Sequence, residues 1–194
     1  MTSVAAQPSG WRVVDIVVAS MLAVAFGAVF QLWNLWWNAT EFIFPPVRGA
    51  VYGVWMLPAV LVPLVVRRPG AALYGETAAA VISMLFGAPW GLLTVVYGLA
   101  QGAAAELVFA FGLYRSWRLP VAILAGAAAG VAGALLDLAF FYADWAVNWQ
   151  LIYSSLVGVS AAVIAGLGSW ALVQALAQAG VLNAFAAGRE QPEV

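Results

Sequence analysis

The residues best suited to chemistry are three acidic side chains that interrupt otherwise apolar stretches: Glu76, Glu106 and Asp137. A carboxylate inside a lipid bilayer costs about 3 kcal/mol on insertion scales, so we expect each of them to face other protein groups rather than lipid. No Lys, Arg or His lies in the same stretches to neutralise them. They could be protonated acids that hydrogen-bond to the backbone or to Tyr and Ser, or they could line a cavity that accepts a cation.

The residue types that are absent exclude most other chemistry. The chain contains no Cys and no His, and all seven of its basic residues are Arg. It therefore cannot form a disulfide, a thiolate or imidazole metal site, or a His-assisted nucleophile. Without Lys it lacks the phosphate-loop lysine of ATPases, so any energy from ATP must come from a partner. So few basic residues also offer no face for nucleic acid. We expect no enzyme activity and no cofactor.

The overall composition indicates a membrane protein. Of 194 residues, 65% are hydrophobic and 8% are charged, with a net charge of -1 and a mean hydropathy of +0.99. Because about 20 apolar residues cross the hydrocarbon core, the sequence predicts an all-α membrane protein, a six-transmembrane-helix bundle that forms one domain over residues 1–194. The predicted helices span residues 13–37, 47–66, 71–86, 90–114, 119–142 and 149–179, and we expect Pro58 and Pro63 to bend the second.

The distribution of arginines predicts the orientation in the membrane. If the N-terminus is cytoplasmic, six arginines lie on the inner side and only Arg48 lies in an outer loop. Basic residues favour the cytoplasmic side, so both termini are expected there. We expect Arg48 to anchor to lipid head groups or to pair with Glu41, and Asp15 to form a local salt bridge with Arg12.

Aromatic and amide side chains concentrate at the predicted outer ends of the helices. They are Trp33, Asn34, Trp36, Trp37, Asn38 and Glu41 near the first loop, and Asp144, Trp145, Asn148, Trp149 and Gln150 near the last. Membrane interfaces attract Trp, but they do not explain its mixture with Asn, Asp and Glu. Ring faces attract cations by about 0.5 to 2 kcal/mol each, and carboxylates accept strong hydrogen bonds from amines. The combination fits a flat, cationic heteroaromatic ligand, such as an aminopyrimidine joined to a charged ring.

Two spacing patterns indicate how the helices face one another. One face of the fourth predicted helix carries Trp90, Thr94, Tyr97 and Gln101. Small residues recur every four positions in several helices, as at Ala19, Ala23 and Gly27 in the first. Such stripes either pack within one bundle or, when they face lipid, dock another membrane protein.

Three segments resemble a known family, and the similarity spans nearly the whole chain. They are Arg68-Pro69-Gly70-Ala71-Ala72 followed by Glu76, Gly87-Ala88-Pro89-Trp90-Gly91, and Tyr97-Gly98-Leu99-Ala100-Gln101-Gly102 leading to Ala105-Glu106. In these segments the chain resembles the substrate-binding S components of energy-coupling-factor vitamin transporters, of the YkoE type associated with thiamin and its hydroxymethylpyrimidine precursor.

The resemblance implies a function that spacing alone does not. S components of this kind are six-helix bundles of the bacterial cytoplasmic membrane that bind a vitamin near the outer surface, beneath a lid between the first two helices. The resemblance also implies docking on a transmembrane coupling (T) protein through Ala19 and Ala23, with two cytoplasmic ATPase subunits supplying the energy. The ligand could be thiamin, the free pyrimidine or both, since other S components bind different vitamins.

We predict ligand contacts from depth and helix face rather than from a family alignment. The candidates are Trp33, Asn34, Trp36, Trp37, Asn38, Glu76, Tyr97, Gln101, Glu106, Asp137, Phe141, Trp145, Asn148, Trp149 and Tyr153. A stand-alone proton-coupled carrier that uses the three buried acids as a relay is the alternative function. An intramembrane enzyme would need a partner residue for these acids that the chain lacks, and a pure scaffold would leave the acids unexplained.

Overall fold

A computed structural model describes residues 10–189, and every regular secondary-structure element within that range is a helix. The α-helices, numbered in chain order, are α1 (Val13–Ala39), α2 (Pro45–Gly49), α3 (Leu57–Val66), α4 (Ala71–Leu85), α5 (Leu92–Phe111), α6 (Leu119–Phe140), α7 (Val147–Ala161), α8 (Gly168–Gln178) and α9 (Ala186–Arg189). A 3-10 helix (Tyr52–Met56) precedes α3, and a π-helical turn (Ala162–Leu167) joins α7 to α8.

Five stretches within the described range are long and apolar enough to cross a membrane. They are Val13–Ala39, Pro45–Val66, Leu92–Phe111, Leu119–Phe140 and Val147–Gln178. The remaining predicted span, α4, has 15 residues and is therefore about 22 Å long. The hydrocarbon core is about 30 Å thick, so α4 alone is short for a crossing. The six-span count stays a prediction, and so does the cytoplasmic position of the termini, which lie outside the described residues.

The second predicted helix, over residues 47–66, is divided in the structure. The short helix α2 ends at Gly49, and the 3-10 helix separates it from α3. Pro58 lies in the first turn of α3, where its missing N–H removes no helical hydrogen bond. Pro58 therefore begins a new helix instead of bending a continuous one. Every residue of α3 after Leu57 is buried, which makes α3 the central helix of the bundle.

One end of the bundle, which we call the arginine end, is held by side chains around Asp15. The fully buried Asp15 carboxylate accepts hydrogen bonds from Arg12 Nη2 at 2.7 Å and from Arg68 Nε at 3.0 Å. The predicted salt bridge between Asp15 and Arg12 is thus present. Arg68, which follows the last turn of α3, adds a second contact to the same carboxylate. Trp11 Nε1 also donates to the Pro69 carbonyl at 2.9 Å. These bonds fasten the start of α1 to the turn between α3 and α4.

The opposite end, which we call the tryptophan end, is packed by aromatic rings. Phe44, just before α2, lies 5.1 Å from the Trp149 ring and 6.5 Å from the Trp145 ring, centroid to centroid. Trp145 in turn stacks on Tyr142 with centroids 4.1 Å apart. The segment around α2 therefore rests on the start of α7.

Small residues set the distances between the helices. Ala19 and Ala23 are 0% and 1% exposed, on the same α1 face as Gly27, which contacts Ile82 of α4. In this structure the stripe packs inside the bundle, so neither alanine is accessible to another protein. The docking role that the resemblance implies for Ala19 and Ala23 would require a rearrangement, and we do not propose it.

Gly126 provides a direct test of this packing. A β-carbon at Gly126 would lie 2.5 Å from the Ala161 carbonyl oxygen, a backbone atom that cannot move aside. We expect Gly126→Ala to lower the unfolding free energy by about 1 to 3 kcal/mol, the usual cost of overpacking. Gly168→Ala is the matched control, because its nearest neighbouring atom would be 3.8 Å away. Thermal unfolding of the two purified variants in detergent should separate them, and equal melting temperatures would contradict the prediction.

Candidate functional site

A cavity of about 410 Å³ lies between α1, the 3-10 helix and helices α4 to α7, and it extends to the tryptophan end. Nearly half of its lining residues are aromatic, including Trp37, Tyr52, Trp55, Trp90, Tyr97 and Tyr153. Four charged side chains also line it: Glu41, Arg48, Glu76 and Asp137. Its volume falls within the range of about 300 to 1,000 Å³ that is typical of small-molecule sites.

Asp137 is held in one orientation by two phenols. It lies in the last turn of α6 and is 7% exposed. Its Oδ1 accepts a hydrogen bond from the Tyr97 hydroxyl at 2.6 Å, and its Oδ2 accepts one from the Tyr153 hydroxyl at 2.6 Å. Because both oxygens accept a hydrogen bond from protein, the carboxyl group is held in one orientation beside the cavity.

Glu76 is fully buried in α4 and lines the cavity, and its two oxygens differ in their hydrogen bonding. Oε2 accepts a hydrogen bond from the backbone N–H of Ala59 at 2.9 Å, one of the N–H groups that the start of α3 leaves without a helical partner. Oε1 is buried and has no hydrogen-bond partner within the structure. A buried carboxylate oxygen without a donor is costly, so Glu76 is well placed to accept a hydrogen bond from a ligand.

Two further sets of polar groups complete the wall. The Asn34 amide donates to Ser83 Oγ at 3.1 Å and accepts from Trp55 Nε1 at 3.0 Å. These two hydrogen bonds fix the Asn34 and Trp55 side chains in the cavity wall. The α5 face predicted from spacing is present, since the cavity lining includes Trp90, Thr94, Tyr97 and Gln101. Regular helical geometry is sufficient to bring these four residues to one surface.

Glu106 does not line the cavity, and it accepts hydrogen bonds from backbone N–H groups at the start of α4. Its Oε1 accepts from the Gly70 N–H and from the Tyr114 hydroxyl at 2.8 Å, and its Oε2 accepts from the N–H groups of Ala72 and Leu73. The three backbone donors lie at the start of α4, where N–H groups have no helical acceptor. Burial, with the bond to Glu106, raises the pKa of Tyr114 to about 12, so its hydroxyl remains a donor at neutral pH.

We therefore expect Glu106→Gln to lower stability without weakening ligand binding. An amide cannot accept on both sides, so at least one donor at the start of α4 or on Tyr114 loses its acceptor. The expected cost is about 1 to 3 kcal/mol of unfolding free energy. Thermal unfolding in detergent measures this loss, and an unchanged melting temperature would show that these hydrogen bonds contribute little.

The structure brings together most of the predicted ligand contacts. Those that line the cavity are Asn34, Trp37, Asn38, Glu76, Tyr97, Gln101, Asp137, Phe141 and Tyr153. Those that do not are Trp33, Trp36, Glu106, Trp145, Asn148 and Trp149. Trp33 and Trp36 stack on each other with centroids 4.5 Å apart, while Trp145 and Trp149 pack around Phe44. Their roles as ligand contacts stay predictions.

Several lining residues were not identified from the sequence. They include Arg48, Tyr52, Trp55, Trp90, Thr94 and Tyr142. Trp90 and Thr94 lie on the face that spacing did identify, so that pattern could have found them. Tyr52 and Trp55 reach the cavity because a 3-10 helix replaces the regular helix predicted there. The expectation for Arg48 as a head-group anchor needs correction, since its side chain is buried in the cavity wall.

Comparison with known proteins agrees with this architecture. Residues 14–132 match a protein family described as an ABC-type cobalt transport system, permease component. The chain is 36% identical over 182 residues to YkoE of Bacillus subtilis (strain 168), which is named as an HMP/thiamine permease protein, and the match covers 93% of this chain and 92% of that protein.

A solved structure described as the crystal structure of an S component of an ECF transporter is also similar. It superposes with a TM-score of 0.90 at 35% identity, and the match covers 93% of each chain. Together with the apolar helices, these similarities assign the chain to the bacterial cell membrane as a multi-pass protein. The chain belongs to the S components of energy-coupling-factor transporters, of the YkoE type.

Proposed function

We propose that this S component binds thiamin, or its hydroxymethylpyrimidine moiety, in the cavity beside Glu76 and Asp137. The observation that carries the proposal is Glu76, a lining residue of the aromatic cavity whose buried Oε1 has no hydrogen-bond partner among the described residues. An exocyclic amine of an aminopyrimidine would donate to this oxygen. The relative named as an HMP/thiamine permease supports the same ligand class.

The charges of the cavity suit a cation. Glu76 and Asp137 are both at least nine-tenths buried, so solvent screens neither of them effectively. Trp55 and Trp90 add aromatic rings that attract a positively charged heterocycle. A ligand with an amine on one ring and a positive charge on the other would use both kinds of contact.

Membership of the family implies the remaining parts of the importer. A membrane T protein and ATPase subunits supply the energy, and this chain supplies the ligand site. We propose that the tryptophan end faces the exterior, because the cavity extends to that end and the clustered arginines lie at the other. Loading then occurs from outside, and delivery follows when the loaded chain docks on the T protein.

Titration of the purified chain with thiamin, in the absence of ATP and of partner subunits, tests the proposal. Tryptophans in the cavity wall should report binding as a saturable change in fluorescence at micromolar thiamin, and the free pyrimidine should be measured in parallel. Choline, a cation without an aromatic ring, is the control and should bind far more weakly. No saturable change with thiamin or the pyrimidine would overturn the proposed ligand.

A stand-alone proton-coupled carrier is the competing function. A relay needs acids that exchange protons across the bundle, yet Glu106 already accepts hydrogen bonds from α4 and Tyr114. This arrangement supports a binding subunit instead. Uptake of thiamin into vesicles that contain only this chain, driven by a pH gradient, would favour the carrier.

A further inference from the structure

Gln101 is an unpartnered amide in the wall of the cavity. It lies on α5, is 3% exposed, and belongs to the cavity lining. Its side chain makes no hydrogen bond to any of the described residues, and neither of its amide atoms is fully enclosed by protein. An amide removed from bulk water without a hydrogen-bond partner is costly. A group of this kind therefore calls for a partner from inside the cavity.

Gly133 leaves the room that the Gln101 amide occupies. It is buried on α6, one turn before Asp137. A β-carbon at Gly133 would lie 2.6 Å from Gln101 Nε2, and 3.2 Å from both Met56 Cε and Tyr52 Cε1. The first of these distances is far shorter than a van der Waals contact of about 3.5 to 4.0 Å. The amide can lie where it does only because residue 133 has no side chain.

The Gln101 amide lies deeper in the bundle than Asp137 and next to the helix that carries Glu76. Gly133 precedes Asp137 by one turn of α6, so it lies about 6 Å farther from the tryptophan end. The residue after Gln101, Gly102, packs on α4, since its β-carbon would lie 3.1 Å from Glu76 Cβ. An acceptor without a donor, Glu76 Oε1, and an amide without a partner therefore lie on adjacent helices in this part of the cavity wall.

We propose that Gly133 determines ligand specificity by placing the Gln101 amide against the polar edge of the ligand's pyrimidine ring. The edge of an aminopyrimidine carries a ring nitrogen, which accepts a hydrogen bond, beside an exocyclic amine, which donates one. The amide NH₂ group donates to the ring nitrogen, and the amine donates to Glu76. Gly133 is a positioning residue that acts through Gln101. The inference rests on the proposed function, because it takes the aminopyrimidine from it.

A double-mutant cycle on thiamin affinity tests the inference. Gly133→Ala displaces the Gln101 amide at little cost in folding, because the atom in its way is the end of a flexible side chain, and Gln101→Ala removes the amide. We expect either substitution to weaken thiamin binding by about tenfold, the equivalent of one hydrogen bond. The double variant should bind within about twofold of Gln101→Ala alone, because the two substitutions remove the same contact. Gly168→Ala, outside the lining, is the control and should bind as the wild type does.

A second ligand identifies the group that the amide contacts. The analogue of thiamin in which a benzyl group replaces the pyrimidinylmethyl group keeps the positive ring but offers no ring nitrogen. Its affinity should change by less than about twofold in Gly133→Ala and in Gln101→Ala. Gln101→Ala creates no new contact, so a loss confined to thiamin tests the hydrogen bond even if Gly133→Ala fails to fold. Equal losses for thiamin and the analogue would overturn the inference, because they would reflect the shape of the cavity alone.

The remaining outcomes separate this role from the proposed function. The inference is overturned if Gly133→Ala binds thiamin as tightly as the wild type, or if it weakens binding equally with and without Gln101. Both results leave the proposed function intact, because the wild type still binds thiamin. A wild type that binds neither thiamin nor the free pyrimidine overturns both proposals. Melting temperatures of the variants confirm that each remains folded during the titrations.

Discussion

Replacing Glu76 with glutamine should weaken thiamin binding by about 10- to 100-fold, the equivalent of one hydrogen bond to a charged group. The glutamine oxygen can still accept from the Ala59 N–H, so the start of α3 keeps its acceptor. What the substitution removes is the second acceptor oxygen, Oε1, which an amide replaces with an NH₂ donor. The loss should therefore appear in ligand affinity far more than in folding.

Glu106→Gln is the matched control for this measurement. Both substitutions neutralise a glutamate in an apolar helix, but only Glu76 lines the cavity. Fluorescence titration of the two variants with thiamin should give a large rise in the dissociation constant for the first and an unchanged value for the second. Equal losses would mean that buried charge in general, and not the contact at Glu76, controls affinity.

Replacing Asp15 with asparagine should cost about 3 kcal/mol of unfolding free energy, because it removes the negative partner of a buried ion pair. The carboxylate is 0% exposed, and the Arg68 side chain that donates to it is 9% exposed. Arg12 is 39% exposed, so solvent screens its ion pair with Asp15 and this pair contributes less to stability. The start of α1 and the turn after α3 should loosen together.

Asp144→Asn serves as the comparison for this loss, because Asp144 is exposed in the loop after α6. Chemical or thermal unfolding in detergent should distinguish a strongly destabilised Asp15 variant from a nearly unchanged Asp144 variant. Thiamin affinity of the folded fraction should remain close to wild type, because Asp15 lies at the arginine end. Similar stabilities for the two variants would contradict the importance of the buried pair.

The features that sequence analysis identified correctly depend on regular helices. Membrane location follows from composition, and the α5 face follows from the 3.6-residue period, which brings Tyr97 and Gln101 to the cavity as predicted. The burial of Glu76 and Asp137 follows from the cost of exposing a carboxylate to lipid. Each of these inferences needs only local information.

The features that sequence analysis misjudged depend on where irregular backbone lies. Glu106 has backbone donors from the start of α4, and no residue type near it in the sequence signals such a partner. Tyr52 and Trp55 lie in a 3-10 helix, whose tighter turn changes the direction of side chains relative to an α-helix. Arg48 folds back onto Trp37 from a helix of five residues, which hydrophobic periodicity cannot detect. These misjudgements concern broken or capped helices.

Helix α3 is fastened near both ends by carboxylates from other helices. Glu76 bonds to Ala59 in its first turn, and Asp15 bonds to Arg68 two residues beyond its last turn. This helix has 10 residues, is about 15 Å long and contains Pro63 in its interior. A ligand that moves the Glu76 side chain must either move the start of α3 with it or break the hydrogen bond to the Ala59 N–H. The cavity and the arginine end are therefore connected through one short helix.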